Sequence, residues 1–170
     1  MKYKKDPGII YGGIDCDSTQ ISLILLGDII PIPWYLQVRG DKKEKDWQKR
    51  IFDMSKRFMA VMREESKCRN ISLIAVESPV MIQNPKTTIV LSEVDSLVCK
   101  VLYNLGVPYA GVSNLVWKKY IIGSGRAKKS EIKEYALNKY GSNWDALLNQ
   151  HACDSIGIAE YAGILLKDKI

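Results

Sequence analysis

Between Tyr11 and Leu26 the chain reads Tyr-Gly-Gly-Ile-Asp-Cys-Asp-Ser-Thr-Gln-Ile-Ser-Leu-Ile-Leu-Leu. This is the pattern of a β-hairpin: a strand ending near Asp15, a tight Asp-Ser-Thr turn, and a second strand that is apolar almost throughout. A hairpin this apolar belongs inside a sheet, and an acid at the end of its first strand needs compensation. Ionised, buried and unpaired, the carboxylate would cost several kcal/mol of lost hydration. A divalent cation would remove that penalty. So would exposure of the turn to water, because Asp is a common turn former. The hairpin alone leaves both readings open.

A chain of 170 residues can build one domain, spanning 1–170, around a full-sized core without help from disulfides. With 46% hydrophobic and 26% charged residues, the composition is that of an ordinary globular protein. No apolar run approaches the ~18 residues of a membrane span, so no membrane association is expected. Residues 1–8 read as a short basic arm without the apolar segment of a secretion signal. The four cysteines, Cys16, Cys68, Cys99 and Cys153, form no Cys-x-x-Cys pair. A zinc site or disulfide framework is therefore not expected, and a reduced, cytoplasmic compartment fits. The net charge of +6 suits a polyanionic partner without requiring one.

Downstream of the hairpin, 28–38 offers a third strand, whose Pro31 and Pro33 argue for an edge position. A polar run from Gly40 to Asp46 leads into a long helix with Trp47, Ile51, Met54, Phe58, Val61 and Met62 at helical spacing, read as core packing. Ile71 to Val76 is an almost continuous apolar run, as in central strands covered on both faces, and it too ends in an acid, Glu77. The spacing then predicts a helix over 87–105, stopped by Gly106, and a short strand over 107–112. Strand, helix, strand in that order is a parallel crossover. From Ser113 to Ser130 a short helix with Lys118 and Lys119 runs into a Gly-Ser-Gly turn followed by Arg126, Lys128 and Lys129. Such a segment suits phosphate contacts and equally a solvated loop. Helices over 131–140 and 149–167 complete the chain.

The last helix holds the single histidine. His151 and Asp154 are three residues apart and project from one helix face. Cys153, two residues from His151, points elsewhere and is a poor nucleophile candidate. If the strands ending in Asp15 and Glu77 are neighbours, ~4.8 Å apart, their carboxylates can share an ion. A carboxylate-rich site suits magnesium or manganese. Two such ions can activate water against a phosphodiester, which beside a basic surface points to metal-dependent cleavage of nucleic acid.

The chain resembles the RuvC-type Holliday-junction resolvases of the ribonuclease H-like superfamily. The resemblance runs from Gly13 to about Leu166. It rests on the Gly-Ile-Asp strand ending at Asp15, the apolar strand ending in Glu77 with Asn84 seven residues on, the segment from Lys118 to Lys129, and the His-Ala-Cys-Asp-Ser-Ile-Gly-Ile-Ala helix. It implies an α/β fold with a mixed five-stranded sheet, an antiparallel hairpin plus parallel strands, flanked by helices. It implies resolution of four-way DNA junctions by paired hydrolysis, with Asp15, Glu77, His151 and Asp154 holding two magnesium ions. Lys118 would stand by the scissile phosphate, with Lys119, Arg126, Lys128, Lys129 and Asn84 among the DNA contacts. A homodimer built on the 87–105 helix is implied as well. Two departures carry expectations of their own. His151 stands where many relatives have Asp, which should tilt the site toward manganese. Val80 stands where the family can offer an aromatic, which removes ~1–3 kcal/mol of base stacking and favours looser cutting of flaps, forks and bubbles. An inactive branched-DNA binder is a further alternative. Asp17 competes with Asp15 for the first position, with Asp15 favoured because the apolar strand leads into it. A sugar- or acetate-kinase-like fold shares the strand order but needs a longer, two-lobed chain.

Overall fold

The computed structural model describes residues 8–27, 33–79, 84–141 and 149–168. Residues 1–7 of the basic arm, Pro31 and the Val80 position lie outside them. The strands are β1 (Ile10–Cys16), β2 (Gln20–Gly27), β3 (Trp34–Arg39), β4 (Ile71–Ser78) and β5 (Tyr109–Ser113). The helices are α1 (Trp47–Cys68), α2 (Pro85–Asn104), α3 (Asn114–Ile122), α4 (Lys129–Tyr140) and α5 (Gln150–Lys167).

The five strands form one mixed sheet in the order β3-β2-β1-β4-β5. β2 pairs antiparallel with β1 and β3, whereas β4 runs parallel to both β1 and β5. The expected third strand is thus an edge strand, and the expected crossover joins β4 to β5.

Alternation along the strands builds two cores. Ile21, Leu23 and Leu25 of β2, with Ile74 and Val76 of β4, meet Met54, Phe58 and Met62 of α1 and Val94 and Val98 of α2. Ile24 and Leu26, with Leu73 and Ala75, face the other way, toward Trp117 of α3, Ile132 of α4 and Ile156 and Ala159 of α5. Burying both faces is what the almost continuous apolar runs of β2 and β4 require. The helix starts have local causes: Asp46 caps α1 by accepting from the Gln48 and Lys49 N–H groups. Asn84 caps α2 with Pro85 in the first helical turn, so this helix begins two residues before the spacing predicts.

Candidate active site

β1 and β4 are neighbours, with Ile14 opposite Val76, so Asp15 and Glu77 finish adjacent strands at the same end of the sheet. Ala75 packs in the α5-side core and Gly13 meets the α5 backbone. Two residues further on, Asp15 and Glu77 face that same side.

Gly13 lets α5 settle there. A Cβ at this position would collide with the helix backbone at Ser155, Ile158 and Ala159. The buried Ser155 hydroxyl bonds to the carbonyl and hydroxyl oxygens of Ser22, each at 3.1 Å, and seats the helix on β2. Asn149 opens α5, its side-chain oxygen accepting from the His151 N–H at 3.1 Å while its amide donates to the Tyr35 hydroxyl at 3.0 Å. Helical spacing then brings both predicted side chains to the strand ends. His151 Nδ1 lies 2.6 Å from Asp15 Oδ2. Asp154 Oδ1 accepts from Gln150 Nε2 at 3.1 Å.

Glu77 is held from the other flank. Asn114 Nδ2 donates to Oε1 at 2.8 Å and Trp117 Nε1 donates to Oε2 at 2.7 Å. Trp117 is fully buried, and its ring fills a notch that a Cβ at Gly157 would close. One indole therefore ties the β4 acid to the helix carrying His151 and Asp154. Sequence reasoning missed Asn114 and Trp117. Only the pairing of β5 with β4, Val112 beside Glu77, places the start of α3 next to that acid. Their spacing of three residues on a helix next to Lys118 was the one available signal.

These groups feel one another. Burial pushes the Asp154 carboxyl up to about 6, with Asp15 and Glu77 adding to the rise while the Gln150 hydrogen bond and Lys118 oppose it. Glu77 is also raised, chiefly by burial and further by Asp15, against the Asn114 and Trp117 hydrogen bonds and Lys118. His151 is raised mainly because Asp15 takes its hydrogen bond, against the effect of burial. Among the described residues, no three His, Cys, Asp or Glu side chains close around a single point as a ready metal cage. Asp15 and His151 pair directly, while Glu77 and Asp154 rest on partners of their own. The donor chemistry nevertheless fits a divalent cation. Three carboxylates and one imidazole gather here, the Glu77 and Asp154 charges are disfavoured by burial and by Asp15, and an ion among them removes that penalty; the oxygen-rich set suits magnesium or manganese.

The remaining predicted residues divide. Half-buried Lys118 stands beside the acids, as its pull on Glu77 and Asp154 shows, with its Nζ 5.5 Å from the centre of the Trp117 ring. Lys119, Arg126, Lys128 and Lys129 are exposed along the end of α3, the following turn and the start of α4. Asn84 spends its side-chain oxygen on the Lys86 N–H at 3.0 Å as the α2 cap. Asp17 is a turn residue: its Oδ1 accepts from the Thr19 N–H at 2.6 Å and hydroxyl at 2.7 Å, and from the Gln20 N–H at 3.0 Å. The glycines of the Gly-Ser-Gly turn serve the chain itself. Gly123 ends α3 at φ 92°, and a Cβ at Gly125 would press on the Leu115 carbonyl. Cys153 is buried in the core.

A cavity of about 200 Å³ at the strand ends is lined by Asp15, Cys16, Glu77, Ser78, Pro79, Leu91 and Asp95. Asp95, unforeseen in the apolar stripe of α2, has its carboxyl raised by burial, and its Oδ1 finds no hydrogen-bond partner among the described residues.

No protein-family model matches the chain. A stretch of 131 residues is 24% identical to the crossover junction endodeoxyribonuclease RuvC of Xanthobacter autotrophicus, spanning 75% of this chain and 69% of that protein. In three dimensions the chain is similar to T. thermophilus RuvC in complex with a Holliday junction substrate. The TM-score is 0.75 at 17% identity, covering 95% of this chain and 96% of the other. A further Thermus thermophilus RuvC structure aligns with a TM-score of 0.69 at 18% identity, covering 95% of this chain and 97% of that one. Over nearly its whole length, then, the chain has the RuvC fold, a ribonuclease H-like mixed sheet covered by helices on both faces.

Proposed function

We propose that the protein is a metal-dependent, structure-selective endonuclease that resolves four-way DNA junctions by paired phosphodiester hydrolysis. One observation carries this reading: the β1–β4 pairing and the seating of α5 gather Asp15, Glu77, His151 and Asp154 at one end of a RuvC-type sheet. Asp15, Glu77, His151 and Asp154 would hold the cations, which supply an activated water and offset the charge that builds on the phosphate. Asn114 and Trp117 orient the Glu77 carboxylate from behind. Lys118 places a positive charge beside the acids, where it stabilises a phosphate in attack. The exposed Lys119, Arg126, Lys128 and Lys129 grip the backbone leading away from the cut. Cutting both strands symmetrically calls for two copies related by a two-fold axis, so the working form is a homodimer.

The test is cleavage of a labelled four-way junction beside linear duplex, a flap and single strands, in magnesium, manganese or chelator. Paired nicks near the crossover are expected in either metal and in neither case with chelator. Glu77→Gln should lower the rate by more than the ~10–100-fold typical of losing a supporting partner, while junction binding persists because phosphate contacts dominate affinity. Equal cutting of every branched form would redefine the protein as a general branched-DNA nuclease. Tight binding without cutting in any metal would reduce it to a binder.

A further inference from the structure

Outside the acids, a second hollow opens at the same end of the sheet. It has a volume of about 230 Å³ and is lined by Ser18, Trp47, Arg50, Lys86, Thr87, Val90 and Leu91. Leu91 also walls the cavity that holds Asp15 and Glu77, so the two hollows adjoin. The lining contains two cations, two hydroxyls and an indole, and no acid. Arg50 is braced by backbone alone, its Nε donating to the Ser18 carbonyl at 2.9 Å and its Nη1 to the Glu44 carbonyl at 3.2 Å. Its guanidinium is thus held in place and forms no ion pair among the described residues. Lys86 forms no ion pair among the described residues and is exposed. Arg50 also lines the next hollow, which mixes Lys49, Lys56 and Arg57 with Asp41, Glu44 and Asp53, and there Glu44 pairs with Lys49 at 2.7 Å. The acid-free lining therefore ends at Arg50.

A DNA strand with one phosphate at the acids has to leave the site in two directions. On the α3 side it meets Lys118. On the opposite side, across Leu91, it meets this hollow. We propose that the hollow lined by Ser18, Trp47, Arg50, Lys86, Thr87 and Leu91 is a subsite for a backbone phosphate of the strand cut at the acids. Arg50 and Lys86 supply charge, the Ser18 and Thr87 hydroxyls supply hydrogen bonds, and the Trp47 ring offers an apolar wall to the attached sugar. The inference rests on the nuclease reading and adds to it a second, oppositely placed grip, which fixes the strand across the end of the sheet.

Junction binding is measured across a salt series in calcium-free chelator buffer, for the full-length chain and for Lys86→Ala, Thr87→Ala and the Lys128→Ala/Lys129→Ala pair. Lys86 is exposed in the first turn of α2, so its variant should keep the wild-type melting temperature. Its slope of log affinity against log salt should fall by roughly 0.9, the share of one phosphate contact. A scan with single neutral methylphosphonates along the cut strand should then show one position, next to the scissile phosphate, whose replacement weakens the unaltered protein but not Lys86→Ala. If Lys86→Ala keeps the full salt slope and the full methylphosphonate pattern while the Lys128/Lys129 variant loses slope, the subsite is wrong and the nuclease reading stands. If the unaltered protein does not bind the junction at all, both fail together.

Discussion

Glu77 shows how much of the candidate site lies in its supports. A buried strand-end carboxylate with only its backbone to orient it could rotate among several rotamers. Asn114 and Trp117 each donate to a different oxygen and leave one orientation. Replacing Asn114 with Ala removes one of those donors from a half-buried position without opening the core. Cleavage should drop by roughly 10–100-fold, the usual effect of losing a partner behind a ligand. The melting temperature should move by no more than a few degrees, and a calorimetric scan run beside the cleavage assay separates the two effects. An unchanged rate would mean that Trp117 alone orients the acid. Asp17 is committed on one side only. Three hydrogen bonds from Thr19 and Gln20 occupy its Oδ1 and hold the turn, while its Oδ2 lies 3.7 Å from His151 Nε2 at the rim of the site.

Among the elements, α5 and the segment from α3 into α4 have different tasks. α5 crosses β1 at Gly13 so closely that a methyl group there would meet helix backbone, which cannot step aside as a flexible side chain can. Gly13→Ala should therefore destabilise the protein by at least about 2 kcal/mol, as overpacking against a rigid neighbour does. For a chain of this size that lowers the melting temperature by roughly 4–8 °C. Because the same contact sets His151 and Asp154 against Asp15, activity should fall even at temperatures where the variant is folded. The α3–α4 segment carries its lysines on the surface, where they contribute little to stability. Lys128→Ala/Lys129→Ala should leave the melting temperature in place and reduce the salt slope of junction binding by roughly two. An undiminished slope would take this segment off the DNA surface.

Across the whole molecule, the crowding of acids couples stability to pH. Asp154, Glu77 and His151 each hold a proton more tightly in the folded chain than their ordinary values imply. The folded state therefore binds more protons than the unfolded chain, and stability falls as pH rises through each window. For Asp154 that window runs from the ordinary 3.8 to about 6, and for His151 it begins at the ordinary 6.5 and extends upward. In chelator the melting temperature should be higher at pH 5 than at pH 8. A divalent cation reverses the penalty by binding only the folded, ionised acids. At about 100 times its dissociation constant it adds about 2.7 kcal/mol, or roughly 5–10 °C at pH 8, and less at pH 5, where the Asp154 carboxyl holds its proton. A melting temperature that rises with pH in chelator would contradict the buried-acid site. Among the described residues, no helix is long and apolar enough to cross a membrane.

The amino-acid sequence by itself determined what depends on near neighbours. Alternation in β2 and β4, the helical spacing of α1 and α2, and the caps that start the helices are all written within a few residues of one another. Most elements, and the three candidate acids and one imidazole, could therefore be read from the residues, while the mixed five-stranded sheet was implied by the family resemblance. Of the expected third strand, the described part is Trp34–Arg39, paired with β2, and residues 28–32 lie outside the described residues. Only the tertiary structure decided what those residues meet. Asp15 and His151 are 136 positions apart, and Glu77 and Asn114 are separated by 37. Their contacts exist because β1 lies beside β4, β5 beside β4, and α5 across Gly13. The same packing leaves Asp95 and Arg50 at the cavities around the acids, although each sits on a helix whose spacing marks it only as part of a core-facing segment. Side-chain identity supplies the chemistry; strand order and helix docking decide which chemistries share a site.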